Sequence, residues 1–195
     1  MSPLDSIRYQ KSFLRVGFMS MDPNTGHVKA YVGGPDFTHF QYDMASVGRR
    51  QIGSTVKPFL YTLAMEEGFT PCDMFLNEQP TLITEDGKPW SPRNSSKARV
   101  GEMVSLRWGL ANSNNWISAR LMDKLSPSSL ARLMHSFGIK NKIDEVISLC
   151  LGPVEVSVEE MVTAYTAFSN KGVRVDPLYV TPVSYTHLTL PTNSR

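Results

Sequence analysis

Several things are scarce in this 195-residue chain, and each scarcity excludes something. Cysteine occurs twice, at Cys72 and Cys150. Two are too few for a disulfide framework and show no C-x-x-C spacing, so both are expected as small apolar residues in or near the core. No apolar run approaches the roughly 18 residues a membrane helix needs. The opening MSPLDSIRYQ has no apolar h-region, so no signal peptide is read there. Neither sign of charge dominates: 20 Lys and Arg stand against 18 Asp and Glu, a net +2 that argues against a nucleic-acid partner. The four histidines, His27, His39, His135 and His187, are scattered without ligand spacing, and no metal or cofactor is expected. Internal repeats and low-complexity stretches are also absent. What is present is 41% apolar residues, enough for a packed core in one domain or slightly more.

Residues 13–34 read as a β-hairpin. Leu14, Val16 and Phe18 alternate along one run and Val28, Ala30 and Val32 along the next, around the turn formers of Asp22-Pro-Asn-Thr-Gly26. A hairpin alone is marginal in water, so it must join a larger sheet or pack on helices. Gly33 to Gly53 reads as irregular and 70–101 as loop. A helix is expected from Ser54, with Val56, Phe59, Leu60 and Leu63 at helical spacing, Pro58 in the first turn and Gly68 as the stop. Further helices are expected at Ser105–Ala111, Trp116–Leu125 and Pro127–Phe137. The clearest one opens with Ser157-Val-Glu-Glu160, a capping box, and its expected buried stripe is Val158, Met161, Val162, Tyr165 and Phe168. A hairpin followed by clustered helices predicts an α+β domain.

The segment that carries chemistry is Arg49-Arg-Gln-Ile-Gly-Ser54-Thr-Val-Lys57-Pro-Phe. A serine and a lysine one helical turn apart lie on one face, so the amine can reach the hydroxyl. Serine is a poor nucleophile unless a base takes its proton, and lysine serves only if burial or a nearby cation lowers its pKa from about 10.4. The helix start adds N–H groups suited to developing negative charge. Alone, S-x-x-K is weak, since an N-cap serine beside a solvated lysine looks the same. Two facts strengthen it. The motif occurs once in the chain, and a single S-x-N, Ser113-Asn114-Asn115, sits between two expected helices. The plain reading of that second element is a turn with an N-cap.

Together these are the first two of three motifs shared by β-lactamases and penicillin-binding proteins. From about Ser2 to about Pro182 the chain resembles the transpeptidase domain of bifunctional (class A) penicillin-binding proteins. The residues that carry the resemblance are Met21-Asp-Pro-Asn-Thr-Gly-His-Val-Lys-Ala-Tyr-Val-Gly-Gly34, Gly53-Ser-Thr-Val-Lys-Pro-Phe59, Trp90-Ser-Pro-Arg-Asn94, Ser105-Leu-Arg-Trp-Gly-Leu-Ala-Asn-Ser-Asn-Asn115, and Gly152 leading into the capped helix. The resemblance implies a serine β-lactamase/penicillin-binding-protein-like fold, an antiparallel sheet against a helical cluster. It implies that Ser54 is acylated by the D-Ala–D-Ala end of a peptidoglycan stem peptide, that Lys57 takes its proton, and that Ser113 relays a proton to the leaving amine. Asn115 would hold the substrate amide, and the Ser54 N–H would supply half of an oxyanion hole. An acceptor amine would then resolve the acyl-enzyme into a cross-link, and β-lactams would stall it. The implied setting is the outer face of the bacterial cytoplasmic membrane, in a parent anchored by an upstream segment. Ile52 stands where proline is commoner in the family.

Two features depart from the pattern. No lysine is followed by Thr-Gly or Ser-Gly, so the third motif, which would bind the substrate carboxylate and complete the oxyanion hole, is missing from these residues. Val183-Ser-Tyr-Thr-His-Leu-Thr-Leu-Pro-Thr192 reads codon by codon as a transposon-end adaptor used in library preparation. Residues 1–182 are therefore expected to be a partial transpeptidase domain and 183–195 a non-native tail, with the 195-residue product poorly stable and inactive. The upstream membrane helix and glycosyltransferase domain of class A proteins are not in this sequence, so glycosyl transfer is not expected of it. Two alternatives stay open: a D,D-carboxypeptidase or β-lactamase-like hydrolase on the same fold, and a non-catalytic β-lactam-binding module.

Overall fold

The computed structural model describes residues 2–181, and the tail expected at 183–195 lies outside them. The hairpin forms with shorter strands than its pattern suggests, β1 (Phe18–Met21) and β2 (Val28–Val32), antiparallel with Phe18 opposite Val32 and a bulge after Ser20. The alternating apolar residues that mark the hairpin are on its outward side. Leu14, Val16, Phe18 and Val32 are exposed, while Met19 is buried and its cross-strand partner Tyr31 half-buried. Alternation shows that two faces differ but not which one meets the rest of the chain.

The other strands are short and paired across long stretches of sequence. Strand β3 (Arg49–Gln51) pairs with β8 (Glu155–Ser157). Within the region read as loop, β4 (Met74–Leu76) pairs with β7 (Met103–Ser105) and β5 (Leu82–Ile83) with β6 (Pro89–Trp90). All four pairs are antiparallel. A helix that the sequence reading missed, α1 (Pro3–Ser12), is capped by Ser2 and Asp5 and buries none of its residues. Its signal was Ser-Pro with an acid three residues after the serine.

The helical cluster forms the core. A 3-10 turn, Gly53–Val56, runs into α2 (Lys57–Glu66), with Pro58 in the first turn of α2 as expected. Val56, Phe59, Leu60 and Leu63 are all buried. Helices α3 (Leu106–Ala111), α4 (Asn115–Lys124) and α5 (Pro127–Ser136) follow the sequence reading closely. They contribute Leu106, Ile117, Leu121, Met122, Leu130 and Met134 to a single core. Burying each large side chain of this kind is worth roughly 1.5–3 kcal/mol.

Helix α6 (Val158–Ser169) has the predicted capping box, with Ser157 Oγ accepting from Glu160 N and the Glu160 carboxylate from Ser157 N. Its buried face is not the predicted one. Thr163, Ala164, Thr166 and Ala167 are buried, whereas Val158, Met161, Val162 and Tyr165 are half-buried and Phe168 is exposed. Small residues let the helix backbone approach its neighbours. Met161, Val162 and Tyr165 line an open cleft of about 410 Å³ with Met21, Pro23 and Thr55. The cysteine expectation is half right: Cys150 is buried, but Cys72 is exposed. Cys72 sits in a turn where Asp73 N donates to Thr70 O and the Asp73 carboxylate accepts from Thr70 N, a hydrogen-bonded corner at the surface.

Candidate active site around Lys57

The turn carrying Ser54 is clamped from two sides. Beyond the β3–β8 pair, Ile52 N donates to Val154 O at 3.1 Å and Gly53 N to Gly152 O at 3.0 Å. The first of these bonds uses an N–H that a proline at position 52 would lack. Gly152 is required twice over: its φ is +72°, and a Cβ there would lie 2.1 Å from Gly53 O. On the other side, Tyr165 donates its hydroxyl to Thr55 O at 2.8 Å, tying α6 to the same turn. Tyr165 is itself held edge-on against Phe59 of α2, with ring centroids 5.7 Å apart.

Ser54 lies exposed at the head of this structure, and no acceptor among the described residues bonds its backbone N–H. Lys57 N donates to Ser54 O, so the two residues are one turn apart. Lys57 is fully buried, and its Nζ points away from solvent to the turn between α3 and α4. There it donates to Ser113 O at 2.6 Å and Asn115 Oδ1 at 2.7 Å, with Ser113 Oγ at 3.0 Å. Lys57, Ser113 and Asn115 are thus brought into direct contact. Ser54 Oγ is one turn away and has no hydrogen bond among the described residues.

The turn that meets Lys57 has its own supports. Ser113 is left-handed, φ +49°, which is uncommon for a residue with a side chain and turns its carbonyl toward the amine. Asn114 caps α4 by accepting from Trp116 N and Ile117 N. Residues 92–94 brace the other side. Asn115 Nδ2 donates to Arg93 O at 2.8 Å, Asn115 N to Asn94 Oδ1 at 3.2 Å, and the Trp116 indole to Pro92 O at 3.0 Å. The Trp90–Asn94 segment is therefore the scaffold of Asn115. The bond to Arg93 O fixes the Asn115 amide so that Oδ1, and not Nδ2, faces the lysine.

Burial lowers the Lys57 pKa from 10.5 to about 8. Its titratable neighbour is the Cys150 thiol, which burial pushes up to about 12, leaving it neutral over the range where the amine ionises. A neutral amine carries two N–H groups and one lone pair. Ser113 O and Asn115 Oδ1 can only accept, and they use both N–H groups. The lone pair is left for a hydroxyl, so the arrangement can draw a proton from a serine.

Comparison with known proteins gives the family and the fold. The family model described as the penicillin binding protein transpeptidase domain matches residues 16–194. The chain belongs to the penicillin-binding protein transpeptidase family. It is 37% identical over 164 residues to penicillin-binding protein 1A of Rickettsia conorii, covering 83% of this chain and 20% of that protein. It is 33% identical over 174 residues to penicillin-binding protein 2D of Bacillus subtilis, covering 89% and 25%. Among solved structures, penicillin-binding protein 1A from Haemophilus influenzae superposes with a TM-score of 0.79 at 28% identity, over 84% of this chain and 25% of that one. The α+β transpeptidase fold is thereby established. The chain spans about a fifth to a quarter of the length of these relatives. Among the described residues no helix is long and apolar enough to cross a membrane.

Proposed function

We propose that Lys57 and its surroundings are the acylation centre of a serine D,D-transpeptidase that cross-links peptidoglycan stem peptides. Ser54 Oγ attacks the carbonyl of the penultimate D-alanine as Lys57 Nζ takes its proton. Ser113 Oγ, already in contact with that amine, takes the proton from the Lys57 ammonium as it passes its own to the leaving D-alanine nitrogen. The C–N bond thus breaks as the acyl ester forms, and both Lys57 and Ser113 end as they began. An acceptor amine from a second stem peptide then displaces Ser54, giving the cross-link. The Ser54 N–H, which has no acceptor among the described residues, serves to bind the developing oxyanion. Asn115 keeps one Nδ2 hydrogen after its bond to Arg93 O, and that hydrogen serves the substrate amide. A β-lactam enters by the same attack, its ring nitrogen taking the place of the leaving amine.

The observation that carries this reading is the buried amine held by two obligate acceptors and a hydroxyl. A solvated surface lysine would have none of these features. In its longer parent the domain would work at the outer face of the cytoplasmic membrane, where stem peptides are, with the parent anchored by an upstream segment. The 195 residues contain no Lys-Thr-Gly or Lys-Ser-Gly, so by themselves they are inactive as a transpeptidase and acylate at most slowly. Fluorescent penicillin labelling tests the reading. A covalent, denaturation-resistant label is expected, slow in the 195-residue protein and abolished by Ser54→Ala. Label that persists in Ser54→Ala would overturn the assignment, and reversible binding of equal strength in both would mark a non-catalytic binding module. Product analysis with and without an acceptor amine separates cross-linking from hydrolysis.

A further inference from the structure

Asn77, at the end of β4, is fully buried, and the chemistry above does not involve it. Its Nδ2 donates to Ala98 O and Arg99 O, each at 2.9 Å, and its Oδ1 accepts from Asn114 Nδ2 at 2.8 Å. The two carbonyls settle the orientation of the amide, since only an NH2 can face both. Asn77 also extends the β4–β7 pairing through its main chain, with Asn77 N donating to Glu102 O and Gly101 N to Asn77 O. Asn114 is 2% exposed and spends its Oδ1 on the α4 cap. The Asn77–Asn114 bond is therefore a buried polar strut between the 98–102 loop and the turn that holds Lys57.

Both ends of the strut lie beside strained backbone. Arg99 has φ +56° and Ser113 φ +49°, two of the three non-glycine residues with positive φ among the described residues. Such conformations cost on the order of 1–3 kcal/mol each and persist where neighbouring structure over-determines them. Asn77 bonds the Arg99 carbonyl directly, and its partner Asn114 follows Ser113 in the chain.

We propose that Asn77 is a positioning residue for the centre, and that its bond to Asn114 holds Ser113 in the left-handed conformation that aims the Ser113 carbonyl and hydroxyl at Lys57 Nζ. The catalytic meaning of this strut rests on Lys57 acting as the base, whereas the strut itself does not. Two substitutions cut it from opposite ends. Asn77→Ala removes the amide. Asn114→Ser keeps an oxygen that caps α4 but is too short to reach Asn77.

The readout is the ionisation of Lys57, followed by NMR of protein carrying 13C-labelled lysine. In the unmodified protein the Lys57 signal should titrate near 8. Release of the turn admits water to the amine, so each single variant should move the midpoint upward by about half a unit or more, toward the solvated value. The double variant should move it no further than the larger single change, because both cut one connection. Unchanged midpoints in the folded variants, or strictly additive shifts, would overturn the proposal and leave Asn77 a core residue without influence on the site. If Asn77→Ala fails to fold, Asn114→Ser decides the question alone. Failure of wild-type penicillin labelling would count against the acyl-enzyme reading, while the lysine titration would still measure the strut.

Discussion

Replacing Lys57 with methionine removes a buried amine at nearly constant side-chain length, and the pH dependence of stability should change in a calculable way. In the unfolded chain this amine takes a proton at 10.5, but in the folded one only at about 8. The folded pKa is the lower one, so the contribution of Lys57 to stability is complete above pH 10.5 and is lost as pH falls to 8. Below 8 both states are protonated and the difference stays constant. Each unit in that window is worth about 1.4 kcal/mol, giving about 3 kcal/mol in all. Ser113 O and Asn115 Oδ1 favour the ammonium form, so this figure is a ceiling. Cys150 and Tyr61, both pushed up to about 12 by burial, act in the opposite direction as pH rises past 9 and 10. Comparison with Lys57→Met cancels them to first order. Urea unfolding of both proteins at pH 7.5, 8.5, 9.5 and 10.5 should show wild type gaining about 2–3 kcal/mol on the variant across the series. A flat difference would mean that the amine ionises normally and is not buried as described.

Three further outcomes are expected. Gly152→Ala should cost at least about 3 kcal/mol, through both the clash with Gly53 O and the positive φ, and a wild-type melting temperature would refute the close crossing. The Tyr61 hydroxyl is buried and makes no well-formed hydrogen bond among the described residues, so Tyr61→Phe should leave stability unchanged or raise it by about 1 kcal/mol. A loss of that size in thermal unfolding would mean the hydroxyl is bonded. A thiol reagent should modify one cysteine, Cys72, in the native protein and both in urea; two fast-reacting native thiols would contradict the burial of Cys150.

What could be read in advance was what is local. The capping box at 157–160 and the helix starts at 105 and 126 depend on a few adjacent residues, and they appear where the pattern put them. The burial of Phe59, Leu60 and Leu63 follows from spacing alone. The faces of the hairpin and of α6 did not follow. In the hairpin Phe18 and Val32 face outward while Met19 is buried, and in α6 the larger apolar residues lie on the more open side. Only the placement of neighbouring elements decides which side that is. The pairs β4–β7 and β5–β6 involve two or three residues each, too few for alternation to register. At the site, Ser54, Lys57, Ser113 and Asn115 were visible as two short motifs. That the amine is gripped by the second motif, with no bond to Ser54 Oγ, required coordinates. Asn77 gave no signal at all: one asparagine in a polar stretch becomes informative only when its amide is found buried against two carbonyls.

One of the three oxygens around Lys57 belongs to the main chain, at Ser113. Main-chain atoms survive substitution, so neither Ser113→Ala nor Asn115→Ala can set the ammonium adrift: each variant keeps the peptide oxygen and one other anchor. A drop in labelling in either of them would therefore report on the missing side chain's own part in the reaction, free of the usual ambiguity about a wandering base.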